Sequence, residues 1–159
     1  MANQLVMYEE EFHRINAVCD RLTKDANAKV VFLVDKNGQL ISAAGQTHNI
    51  DTTSLASLTA GNVAAMGGLA KLIGENEFPN QFHEGARDSL YMTLVGGRVV
   101  LVVIFDNRTS LGLVRLRIKK ASEELEKIFQ ALAARSQQPG AGSPFAEISD
   151  ADIDNLFSE

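Results

Sequence analysis

The sequence predicts an α/β sandwich in the order α-β-β-α-β-β-β-α, with a five-stranded, mostly antiparallel sheet and helices on both faces. Three observations predict it. Two turn signals, Asn37-Gly38 and Gly96-Gly97, each sit between apolar runs and read as hairpin connections. The segments near the two ends of that strand-rich region carry helical stripes of apolar residues. Between the hairpins lies "SLASLTAGNVAAMGGLAKL", residues 54–72, a helix made mostly of small uncharged residues.

The first element is an amphipathic helix over about residues 6–27, with Phe12, Ile15, Cys19, Leu22 and Ala26 on one stripe. "VVFLVD" is then a β-branched run, apolar on both faces, and reads as a central strand covered on both sides. "QLISAAG" returns as its hairpin partner. Asp51 or Thr52 can cap the next helix, which runs to about Glu75. A weak, partly polar strand is expected around 81–86. "SLYMTLVGGRVVLVVIFD" holds two strands joined at Gly96-Gly97. "NRTS" opens a long last helix with Leu111, Val114, Ile118, Ala121, Leu125, Ile128, Phe129 and Leu132 inward. The first and last helices can share one face of the sheet, leaving the middle helix alone on the other.

The 159 residues suffice for one domain with a core. The expected division is a domain over 1–136, a flexible linker over 137–144 (within "SQQPGAGSP") and an acidic amphipathic tail over 145–159. The net charge of −5 argues against a nucleic-acid partner. That imbalance comes from the tail, which carries Glu147, Asp150, Asp152, Asp154, Glu159 and no base. A single cysteine, Cys19, fits a reducing compartment and reads as a core residue. The opening residues show no signal-peptide pattern. The uncharged run from Thr52 to Ala70 is too rich in Thr, Ser and Asn for membrane insertion.

The middle helix is the odd one. On a helical wheel, Leu55, Leu58, Asn62, Met66, Leu69 and Ile73 form one face, expected to lie on the sheet. Ala56, Ala60, Ala64 and Gly68 fall opposite, flanked by Ser57, Gly67 and Lys71. Glycines inside a helix cost about 1 kcal/mol each relative to Ala, and nothing in the helix offsets that. Small residues four apart let another backbone come close. A protein-docking face is therefore expected.

Enzymatic chemistry is not expected. No phosphate loop or dinucleotide-binding glycine pattern is present. No cofactor or metal is implied, and His13, His48 and His83 fall on separate elements. Asp35 and Asp106 end strands, where turn chemistry accounts for them. Arg87 and Arg108 lie in expected loops, where an arginine could serve as a finger to a GTPase or simply be solvated.

"NAKVVFLVDKNGQLISAAG", "LTAGNVAAMGGLAKLIGENEF" and "VVLVVIFDNRTSLGLVRLRIKKASEELEKIF" resemble the Roadblock/dynein light-chain family. The resemblance implies a Roadblock-type sandwich that forms homodimers through paired third strands. It also implies a platform of two middle helices that receives a small Ras-like GTPase in its GTP-bound form. Ala56, Ala60, Ala64, Gly68 and Lys71 would form the GTPase-binding face. The implied activity is GTPase activation without catalytic residues of its own, in bacterial cell polarity and gliding motility. The implied setting is the cytoplasm, with a cell pole as a site of action. The alternative is a dimeric scaffold that binds a GTPase or other partners without changing turnover. Two further expectations concern other surfaces. Ile153, Leu156 and Phe157 would make the tail an arm that grips the GTPase. Arg14, Arg115 and Lys120 would form a basic patch for a second regulatory protein.

Overall fold

The computed structural model describes residues 8–136. Its elements are α1 (Glu9–Asp25), β1 (Val30–Asp35), β2 (Leu40–Gly45), α2 (Thr52–Leu72), β3 (Asn80–His83), β4 (Ser89–Val95), β5 (Val99–Phe105) and α3 (Leu111–Ser136). The expected order is borne out. All strand pairings are antiparallel, in the sheet order β2-β1-β5-β4-β3. The expected linker and tail, with Ile153, Leu156 and Phe157, lie outside the described residues.

Period-two alternation divides the sheet between two cores. Val31, Leu33, Leu101 and Val103 point to the face covered by α1 and α3, where they meet Ile15, Cys19, Leu22, Ile118, Leu125 and Leu132. Val30, Phe32, Val34, Val100 and Val102 point to the other face, under α2. β1 is buried on both sides, as its composition requires. Each such side chain contributes roughly 1.5–3 kcal/mol by leaving water.

The two hairpins use glycine differently. Gly96 and Gly97 both adopt left-handed backbone, with φ of 60° and 68°, and reverse the chain between β4 and β5. At the β1–β2 turn only Gly38 is left-handed, at φ 90°. Asp35 organises that turn: its Oδ1 accepts from the backbone N–H groups of Asn37 and Gln39.

Three details differ from expectation. Phe12 is exposed and Glu11 is buried in its place, because Glu11 accepts a 2.6 Å hydrogen bond from Arg135 on α3. The Arg135 guanidinium also lies 4.1 Å from the Tyr8 ring centroid. β3 ends at His83 rather than near residue 86, because the chain turns at Gly85, whose position leaves no room for a Cβ beside the Asp88 carbonyl. α2 stops at Leu72, short of Glu75, and Gly74 follows in left-handed backbone.

Candidate protein-docking face on the middle helix

α2 begins at Asp51, whose carboxylate accepts from the Ser54 backbone N–H at 3.1 Å and from its hydroxyl at 2.6 Å. The hydrogen bonds from Ser54 hold the Asp51 carboxyl below its usual range. From there the helix crosses the sheet rotated by roughly a quarter turn from the expected orientation, so that Leu55 and Val63 still pack against the core while Leu58, Leu69 and Ile73 turn outward. Ala56, Thr59 and Ala70 are its buried residues. Ala56 is only 1 % exposed and belongs to the core with Val30, Phe32 and Val102. Leu58 is 71 % exposed, Leu69 46 % and Ile73 64 %.

The physical reason lies in the sheet. Its upper face already supplies the bulk in Val30, Phe32, Val34, Val100 and Val102. A helix with small residues inward can then approach closely. The β1–β2 turn uses the same smallness: a Cβ on Gly38 would stand 3.4 Å from the Ser57 Cα and 3.6 Å from the Ala60 Cβ. The backbone that the small residues admit at this end of α2 is the chain's own hairpin. Ala56 is therefore removed from the candidate docking face as a structural residue.

The rest of the expected set stays together. Ala60, Ala64, Gly68 and Lys71 line one cleft of about 460 Å³, joined by Gly67 and Lys36. Phe78 and Leu94 close its apolar side. Among the described residues, and apart from the neighbouring backbone of α2, nothing lies within 4 Å of the space where a Cβ would stand on Gly67 or Gly68. The sequence alone did not bring Lys36, Phe78 or Leu94 to this site. Hairpin turn, post-helix loop and strand end meet there only in three dimensions.

The apolar flank of α2 is a second feature. Leu58, Leu69, Leu72 and Ile73 present a run of large apolar side chains to solvent. Asn62, on the same flank, has a buried Oδ1 with no hydrogen-bond partner among the described residues. β3 lies at the sheet edge, and its Phe82 is 40 % exposed.

The remaining sequence candidates separate. β4 starts and β5 ends next to each other, so the Arg87 and Arg108 loops share one end of the sheet. Leu94, in the cleft, is near the other end, roughly 20 Å along the strand. Arg108 is engaged by Asp106 at 3.1 Å. The backbone N–H of Arg108 also donates to that carboxylate, holding the Asp106 carboxyl below its usual range. Arg14, Arg115 and Lys120 do not form one patch within a chain. α1 and α3 run antiparallel, with Glu11 beside Arg135 and Arg21 beside Glu124. In that register Arg14 stands roughly 25 Å from Arg115 and 18 Å from Lys120 along the helices. Lys120 instead shares the inter-helix groove with Arg21 and Arg117, among Asp25 and Glu124.

Cys19 is fully buried, and burial pushes its thiol up to about 11. It is a packing residue with little thiolate. Among the described residues no group of three His, Cys, Asp or Glu could hold a metal ion, and no helix is long and apolar enough to cross a membrane.

Comparison with known proteins accords with this geometry. The solved structure of MglB from Myxococcus xanthus is 91 % identical to this chain, covering 80 % of it and 96 % of that protein, with a TM-score of 0.77. The gliding protein MglB from Thermus thermophilus is 33 % identical, with coverage of 82 % and 99 % and a TM-score of 0.76. An MglB described as having a tetrameric arrangement is 31 % identical, with coverage of 83 % and 99 % and a TM-score of 0.77. The family model for the Roadblock/LC7 domain matches residues 14–105, spanning α2 and the whole sheet, and the chain belongs to the Roadblock/LC7 family.

Proposed function

We propose that this protein is the homodimeric activating partner of a small Ras-like GTPase of the MglA kind, acting in bacterial cell polarity and gliding motility. The observation that carries the reading is the cleft beside α2. Ala60, Ala64, Gly67 and Gly68 give it walls that a partner's backbone can approach, and Lys71 adds a cation at its border. The similarity to MglB proteins supports the same reading.

Dimerisation has its own support. The exposed leucines and Ile73 on α2 and the edge strand β3 both favour a second copy. Two α2 helices side by side make one platform, which favours one GTPase per dimer.

Activation is by positioning. The dimer holds the switch loops of the GTP-bound partner so that the partner's own arginine and glutamine reach productive geometry. Ordering alone can supply several kcal/mol of barrier reduction. Arg87 and Arg108, far from the cleft, are not needed as fingers. Residues 145–159 serve as the arm that grips the bound GTPase, through Ile153, Leu156 and Phe157.

Single-turnover GTP hydrolysis by the GTPase, with and without this protein, tests the proposal. A rate increase that saturates with dimer concentration is expected. Confirmed binding with an unchanged rate would identify a scaffold instead.

A further inference from the structure

The cleft beside α2 is more than a smooth docking face. Val63, Met66, Phe78 and Leu94 give it an apolar lining. Lys36 and Lys71 stand at its walls against a single acid, Glu77. Neither lysine makes an ion pair among the described residues. Such a site suits a short apolar segment flanked by carboxylates.

We infer that the chain's own acidic end, residues 145–159, occupies this cleft while no GTPase is bound. Its sequence has the complementary chemistry. Ile153, Leu156 and Phe157 supply apolar anchors at helical spacing, and Asp150, Asp152, Asp154 and Glu159 supply the charge that Lys36 and Lys71 lack. The route is short. The Cγ of Glu126 lies 4.0 Å from the space a Cβ would take on Gly96, so α3 passes the β4–β5 turn at this residue. It then continues to Ser136, beyond that end of the sheet. Leu94 and Lys36 belong to the same end, because β4 and β1 both finish there. The tail therefore starts at the end of the sheet that holds the cleft, on the opposite face. Crossing from one helix layer to the other takes roughly 20 Å. The stretch from Ser136 to Ile153 can span up to roughly 55 Å. A tethered segment of this reach acts at about millimolar effective concentration, so a weak contact is enough to fill the site.

The regulatory meaning rests on the proposed GTPase role of the cleft. A GTPase entering the cleft displaces the tail, and the displaced tail becomes free to grip the GTPase. Occupancy in the free protein thus lowers non-productive binding and couples docking to arm release.

The contact is tested on the full chain with no GTPase present, so its failure is separate from failure of the GTPase reading. Phe157 is replaced by photoreactive p-benzoylphenylalanine, the protein is irradiated, and linked peptides are identified by mass spectrometry. Linkage to residues 63–78 or to Leu94 is expected. The yield should fall at least about fivefold in 1 M NaCl and in the Lys36→Glu/Lys71→Glu variant, both lysines being at the surface and in no ion pair among the described residues. Linkage confined to α1 or α3, no linkage, or a yield unchanged by charge reversal would overturn the inference. A second copy covering the cleft would produce one of those outcomes.

Discussion

Replacing Gly67 and Gly68 by alanine should make this protein more stable and worse at binding its GTPase. Both glycines sit inside α2 with no left-handed backbone requirement. Apart from the neighbouring backbone of α2 itself, no atom of the described residues lies within 4 Å of where either added methyl would stand. The substitution therefore meets no clash, and its effect on folding is the helix-propensity gain of about 0.5–1 kcal/mol per site. The pair should add about 1–2 kcal/mol. For a domain of this size that raises the melting temperature by roughly 2–8 °C. If the glycines exist to admit a partner's backbone, the two methyls overpack that contact by about 1–3 kcal/mol. Affinity should drop by about 5- to 150-fold. Calorimetric melting and equilibrium titration with the GTP-loaded GTPase read the two effects independently. A variant that melts at or below the parent temperature would refute the open geometry around α2. One that melts higher yet binds unchanged would refute the role of Gly67 and Gly68 in docking.

Ala56→Leu should do the opposite to stability. The new atoms enter a site that is 1 % exposed, and the overpacking should cost about 1–3 kcal/mol, visible as a lower melting temperature. Removing the helix cap by Asp51→Ala should lower the melting temperature at pH 7. Because the folded carboxyl titrates below its unfolded value, the Asp51 contribution is present above pH 4 and vanishes as pH falls through the folded value, so melts of the two proteins should converge in acid. For Cys19 the raised thiol works the other way: its contribution is full below about pH 9 and lost as pH rises towards 11. In native protein at pH 8 it should react with iodoacetamide far more slowly than after denaturation, and equal rates would show that the α1/α3 core is open.

Elements whose local pattern matched their final environment were legible in the sequence. α3 repeats its apolar stripe along its length, and Val114 through Leu132 are buried as that stripe requires. β1 is apolar on both faces because both faces are covered. α2 could not be oriented in the same way. A wheel ranks faces by size and assumes that the largest residues go inward. Here the bulk comes from the sheet, so Ala56 and Ala70 go inward and Leu58 stays outside. The large residues on a helix facing solvent signal a partner, and no single-chain pattern distinguishes that from a core stripe. β3 was hard to delimit because it is short, polar and at an edge. The basic patch was misjudged for a different reason. Periodicity gives the face of each helix and says nothing of their relative register, which the Glu11–Arg135 and Arg21–Glu124 pairs set.

The central claim is that the exposed part of α2 receives a GTPase, and the Ala64→Arg/Gly68→Arg variant tests it most directly. Ala64 and Gly68 are exposed and line the cleft, so two long cations obstruct a partner without entering the core. The measurement is the equilibrium affinity of this variant for the GTP-loaded GTPase, made alongside sedimentation to verify an unchanged oligomer. Loss of binding by at least about a hundredfold, with the oligomer and melting temperature preserved, is the predicted result. Binding at parental affinity by the intact oligomer would contradict it.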